Sequence, residues 1–131
     1  MRGGGLIPVI VATALACLIA GTALVSAKTL RGTPSGERLG GTRGPDRILA
    51  GAGPDTLLGR KGGDLLVGGP GNDTIRAGKG FDEIRGGRGR EVIYARDHQP
   101  DTIHCGLGRE VVYVDWVEDG VFSCWRVVEP G

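Results

Sequence analysis

A nine-residue phrase, close to Gly-Gly-x-Gly-x-Asp-x-(Ile/Leu)-x, recurs from Gly32 to about Tyr94. Its clearest copy is Gly68-Gly69-Pro70-Gly71-Asn72-Asp73-Thr74-Ile75-Arg76. A fixed short period means stacked identical turns, which excludes most globular layouts at once. Three columns keep step. The acid falls at Glu37, Asp46, Asp55, Asp64, Asp73, Asp82 and Glu91, nine residues apart each time. Two residues later stand Leu39, Ile48, Leu57, Leu66, Ile75, Ile84 and Ile93. The fourth position of the phrase is Ser35, then Gly44, Gly53, Gly62, Gly71, Gly80 and Gly89. Beyond Tyr94 the wording loosens: Ala95 to His104 carries one extra residue but keeps Asp101 and Ile103, and Cys105 to Tyr113 keeps Gly106, Gly108, Glu110 and Val112.

Each column has a physical reason. A sharp reversal needs positive φ, which glycine adopts at little steric cost. Glycine also leaves backbone carbonyls bare enough for an ion to approach. The x-(Ile/Leu)-x segment predicts a three-residue strand with its middle side chain inward, because side chains alternate across a strand. The aspartate sits where turn meets strand, so its carboxylate can reach back over the loop. Carboxylates mixed with carbonyl oxygens suit a hard cation such as calcium.

These residues resemble the hemolysin-type, or RTX, calcium-binding repeat, strongly over Gly32 to Tyr94 and weakly to Tyr113. The resemblance implies an all-β fold, a right-handed parallel β-roll (β-solenoid) in which each nonapeptide is half a coil. Successive turns then lie on opposite edges and ions sit between repeats n and n+2. One edge would stack Asp46, Asp64 and Asp82; the other would stack Glu37, Asp55, Asp73 and Glu91. The implied cofactor is Ca2+, held by Asp46, Asp55, Asp64, Asp73 and Asp82 with the turn glycines Gly44, Gly53, Gly62, Gly71 and Gly80. Glu37 and Glu91 are weaker candidates, since a longer side chain is expected to overshoot the ion. Thr33, Thr42 and Arg60 depart from the pattern at the second glycine, and Arg43, Lys61, Lys79, Arg88 and Arg90 put positive charge in the loops, which opposes cation binding. With one inward apolar side chain per repeat and many glycines to order, the roll is expected to need its ions to fold.

Arg2, the apolar run Leu6 to Val25 and the small residues Val25-Ser26-Ala27 read as a signal peptide over residues 1–27, cleaved after Ala27. The competing reading keeps the run as a membrane anchor. Either way the repeats face outside the cytoplasm, as a secreted or cell-surface protein. Cleavage removes Cys17 and leaves Cys105 and Cys124, which in an exported domain are expected to form a disulfide. Residues 28–31 read as a linker, 32–113 as the roll, and 114–131 as a β-rich C-terminal cap with Asp119-Gly120 as a hairpin turn.

Sixteen Lys and Arg face fifteen Asp and Glu, spread through every turn with no aromatic stacking platform, so nucleic acid is not an expected partner. No Gly-x-Ser-x-Gly or His-Glu-x-x-His occurs, and the carboxylates form a ladder, not an isolated acid/base pair. No catalytic residues and no small-molecule substrate are therefore assigned. The leading expectation is a small secreted calcium-binding protein that folds on calcium outside the cell. The alternative is a membrane-anchored structural or adhesive module using the roll as a rigid spacer.

Overall fold

The computed structural model describes residues 27–115 and 120–130. The expected signal segment, apart from its last residue, and most of the Asp119-Gly120 turn lie outside them. The described residues form twelve strands in two parallel sheets. β1 (Thr29–Arg31), β3 (Arg47–Leu49), β5 (Leu65–Pro70), β7 (Glu83–Gly89), β9 (Thr102–Gly108) and β11 (Gly120–Phe122) make the odd sheet. β2 (Arg38–Gly40), β4 (Thr56–Lys61), β6 (Thr74–Lys79), β8 (Val92–Ala95), β10 (Val111–Val114) and β12 (Arg126–Val128) make the even sheet. The chain alternates between the sheets, so each strand pairs with the strand two further on: a β-solenoid with half a coil per nonapeptide.

The pairing register follows the repeat. Ile48 pairs with Leu66, Leu66 with Ile84, Leu57 with Ile75, and Ile75 with Ile93. These residues, with Ile103 and Val112, are fully buried in one row between the sheets. A second inward row is small: Ala50, Ala77, Ala95 and Cys105 are buried beside them. Leu39, placed in the same column by sequence, is only half-buried, because it lies one coil from the N-terminal end of the described roll.

Several elements differ from the sequence-based outline. β4 to β7 run six or seven residues, not three, because the glycine-rich segment keeps pairing past the apolar residue, as in Arg60 with Gly78 and Gly69 with Gly87. Thr29–Arg31, read as linker, is strand β1 and pairs with β3. Beyond residues 116–119, which hold the first half of the expected hairpin and lie outside the described residues, the chain adds a further coil: β11 pairs parallel with β9 and β12 parallel with β10. A parallel partner for each is already displayed by the preceding coil. Of the apolar residues in this stretch, Val121 packs against the core, whereas Phe122, Trp125 and Val127 stay exposed. Cys105 and Cys124 form the expected disulfide, with Cα atoms 5.1 Å apart, and tie this coil to β9.

The turn glycines earn their column by contact as well as by dihedral. Gly53, Gly62, Gly71, Gly80 and Gly89 have φ between 99° and 143°. A methyl on Gly71 would lie 2.1 Å from the Gly53 carbonyl oxygen, and one on Gly80 would lie 2.0 Å from that of Gly62. Gly44, in the same column, is not among the positive-φ glycines. Gly80→Ala therefore meets both a forbidden dihedral and a rigid carbonyl, and is expected to destabilise the roll by about 3 kcal/mol or more. Denaturant unfolding of the variant beside the parent measures this; a loss under about 1 kcal/mol would show that the coils are not packed this closely.

Candidate metal centre

The acid column lies inside the loops. Asp46, Asp55, Asp64, Asp73, Asp82, Glu91, Asp101 and Glu110 are each at most 4 % exposed. Two ladders result, one on each edge where the chain crosses between sheets. On the first, the Asp46 N–H donates to Asp64 Oδ1 at 2.7 Å, the Asp64 N–H to Asp82 Oδ1 at 2.7 Å, and the Asp82 N–H to Asp101 Oδ1 at 2.8 Å. On the second, the Glu37 N–H donates to Asp55 Oδ1 and the Asp55 N–H to Asp73 Oδ1, both at 2.8 Å. The sequence groups Asp46, Asp64 and Asp82 on one edge and Glu37, Asp55 and Asp73 on the other, and these bonds draw the same two rows. Asp101 extends the first row across the one-residue insertion. The extra length bulges outward at His98, whose φ is 66°, while its N–H donates to Asp115 Oδ2 at 2.5 Å.

Each ladder bond uses one carboxylate oxygen. The other, Oδ2, of Asp55, Asp64, Asp73 and Asp82 is buried without a hydrogen-bond partner, as are both oxygens of Glu91 and Oε1 of Glu110. Such orphans are costly, because a buried acceptor loses water and gains nothing. A backbone carbonyl converges on the same place. A methyl on Gly59 would lie 2.7 Å from Asp64 Oδ2 and 2.1 Å from the Ala77 oxygen; on Gly68, 2.5 Å from Asp73 Oδ2 and 2.6 Å from the Gly86 oxygen. On Gly41 it would lie 2.5 Å from Asp46 Oδ2 and 2.7 Å from the Gly59 oxygen. Carboxylate and carbonyl oxygens thus face one another across a space that any side chain would fill. All of these are hard oxygen donors, the set that calcium prefers. The first glycine of the phrase is therefore part of the cradle, a role that the sequence reading gave to the fourth. Among the described residues no three His, Cys, Asp or Glu side chains form a metal-binding group, so carbonyls must supply much of any shell.

The glutamates divide. Glu37 is half-exposed and held by Thr33, whose N–H reaches Oε2 at 2.9 Å and whose hydroxyl donates to Oε1 at 2.5 Å. That hydroxyl and N–H hold its carboxyl below the usual range. Thr42 binds Asp46 in the same way through its N–H and hydroxyl. Threonine at the second glycine position thus engages the acid directly. Arg60, at the same position, instead takes the glycine-like φ of 85°. Glu91 and Glu110 are fully enclosed, and their carboxylates fold back toward Gly89 and Gly108 of their own loops instead of overshooting.

Enclosure shifts the protonation of these groups. Burial pushes the Asp64 carboxyl up to about 7, against the Asp46 N–H that stabilises its charge, and Asp82 and Asp46 add to the rise. Burial likewise raises Asp73 to about 6 against the Asp55 N–H, with Asp55 adding charge repulsion. Asp82 rises to about 6 by burial, with Asp97 contributing. Glu91 rises to about 7 through burial and then through Glu110 and Asp73.

The family described as RTX calcium-binding nonapeptide repeat, in four copies, matches residues 40–75 and 67–97. This stretch of the roll is thus built of repeats similar to the calcium-binding RTX nonapeptide. No curated protein and no solved structure gives a significant match to it.

A pH dependence follows from the raised carboxyls. In chelator, the folded chain holds protons at Asp64, Asp73, Asp82 and Glu91 that the unfolded chain releases near their ordinary values of 3.8 and 4.5. The folded state binds more protons, so stability falls as pH rises from the unfolded values to about 7, and levels above. Thermal unfolding of the chelated protein should therefore show a higher midpoint near pH 4.5 than near pH 7.5 (round working values). A midpoint that climbs over this interval would contradict the enclosure of these carboxyls.

Proposed function

We propose that the protein is a small, secreted, non-enzymatic calcium-binding protein whose repeat region orders when calcium is bound outside the cytoplasm. The observation that carries this reading is the row of buried carboxylate oxygens without partners on Asp55, Asp64, Asp73 and Asp82, with those of Asp64 and Asp73 facing a backbone carbonyl across a glycine. Asp46, Asp64 and Asp82 on one edge, and Asp55 and Asp73 on the other, would hold the ions with loop carbonyls; Glu91 joins the second edge. Bound calcium would supply positive charge where the chain has buried negative charge without a cation. The chain's own part is to present oxygens in register, to exclude water with the paired strands, and to fix each carboxylate through an N–H one coil away.

Export is supported by the apolar N-terminal run ending in Val25-Ser26-Ala27 and by the Cys105–Cys124 disulfide, which suits an oxidising compartment. Extracellular calcium suits sites of modest affinity, on the order of 10⁻⁴ to 10⁻³ M.

Folding coupled to the ion is expected to show directly. Circular dichroism in chelator should report a partly disordered roll that gains β signal and thermal stability as calcium is added; identical spectra and melting curves in the two conditions speak against the reading. Asp64→Ala should weaken two sites together, since Asp64 accepts from Asp46 and its own N–H donates to Asp82. Calorimetry should find fewer ions or an affinity lower by about tenfold or more; unchanged stoichiometry and affinity would refute the stacking.

A further inference from the structure

Charge in this chain is sorted by depth. Nine carboxylates are buried among the described residues, whereas every described Lys and Arg is exposed. Of the described acids, Glu37, Glu83 and Asp97 are half-buried and Glu129 is exposed. A near-neutral composition therefore hides a cationic exterior.

The sorting is strongest on the even sheet. Its six strands contain no Asp or Glu at all. Arg76, Tyr94 and Tyr113 stand in one cross-strand row on its outer face. The tyrosine rings stack at 5.0 Å and 5°. The Arg76 guanidinium lies 5.0 Å from the Tyr94 ring centre, and that of Arg96 lies 5.3 Å from the Tyr113 ring centre. Beside this row, Lys61 and Lys79 pair on adjacent rungs. An open depression of about 470 Å³ is lined by Arg76, Lys79, Tyr94, Arg96 and His98, with Asp97 at its margin. Asp97 is turned to the backbone, accepting from the Gly80 N–H at 2.9 Å and the Gln99 N–H at 3.0 Å.

We propose that this face binds an acidic polysaccharide. Lys61 and Lys79 stand one parallel-strand spacing apart, about 4.8 Å, and Arg76 and Arg96 line the same depression as Lys79, a cluster that suits a polymer carrying closely spaced negative charge. The tyrosine faces are taken up by each other and by guanidinium groups, so they are not open platforms for nucleic-acid bases. What remains for a ligand is phenol hydroxyls, guanidinium N–H groups and ammonium groups, a set that matches sugar hydroxyls and uronate or sulfate groups. Of the large exposed apolar side chains, Phe81, Leu107, Phe122 and Trp125 lie off this sheet, and Val127, on its end strand β12, pairs with the inward Val112 and so lies off the outer face, which offers no apolar wedge for a lipid surface. In one respect the inference rests on the calcium reading: ions bound to the buried carboxylates leave the exterior cations uncompensated and strengthen the attraction.

The test uses the calcium-loaded protein on immobilised heparin, a sulfated uronate polymer, at about 0.1 M salt. Binding is expected, with retention falling as salt rises or calcium is chelated. Arg76→Gln combined with Lys79→Gln should weaken it about tenfold, and Arg88→Gln combined with Arg90→Gln, the same charge change on a loop of the opposite edge, about twofold or less. All four side chains are exposed, and circular dichroism checks that each variant is folded. Equal losses in the two variants would reduce the effect to overall charge and overturn the site. Tighter binding to duplex DNA or to anionic phospholipid vesicles at the same salt overturns the ligand class. Calcium calorimetry on the same samples separates the two readings. Uptake of calcium with no retention on heparin sinks this proposal alone. Retention on heparin without calcium uptake supports the face and sinks the calcium reading.

Discussion

Everything in this roll depends on carboxylates buried at a fixed interval with no basic side chain beside them. Asp55, Asp64, Asp73 and Asp82 each receive a backbone N–H from the coil before and leave the second oxygen buried without a partner. Folding must overcome that accumulation of negative character in a dry place, because a charge moved out of water without a partner is strongly disfavoured. Protonation and cation binding both relieve it, the first at acidic pH and the second at neutral pH. Fold and ligand are thus one problem: the paired strands bring the oxygens together, and whatever neutralises them holds the strands.

The hydrophobic contribution is thin by construction. One large aliphatic side chain per half-coil fills the space between the sheets, and the second inward row is alanine or glycine until Cys105 and Val114 at its C-terminal end. The small row keeps the two sheets close enough for loop carbonyls to meet the next coil's glycines. Larger side chains there would add apolar burial and open the edges. Tight edges and a thin core are therefore two results of the same choice of residues.

Period carried most of what the sequence could reveal. The nine-residue step gave the inward column Ile48 to Ile93 by counting, and the resemblance to the RTX repeat implied the 18-residue pairing and the assignment of acids to edges. What counting could not supply was direction within a loop. The first glycine was read only as part of a turn, yet at Gly41, Gly59 and Gly68 it walls the space where carboxylate and carbonyl meet. Glu91 looked too long for its position; its extra methylene is absorbed by folding back over its own loop. Asp101 was visible as an acid, but the inserted residue hid that it continues the first ladder. At the C-terminal end residues 114–131 read as a separate cap, whereas β11 and β12 add a further coil to the two sheets. The signal for a further coil was there: Gly120–Phe122 lies 18 residues beyond Thr102, as its pairing shows.

The last crossing has one more consequence. β12 aligns with β10 after only fifteen residues, Val111 with Arg126, where earlier partners are eighteen or nineteen apart. The missing residues come from the segment that would have carried the next acid, so the second ladder stops at Glu110. A rung laid on top of β12 would find nothing beneath it to share a cation with. The change of phase, clamped in place by the Cys105–Cys124 bridge, thus breaks at this crossing the spacing on which shared cations depend.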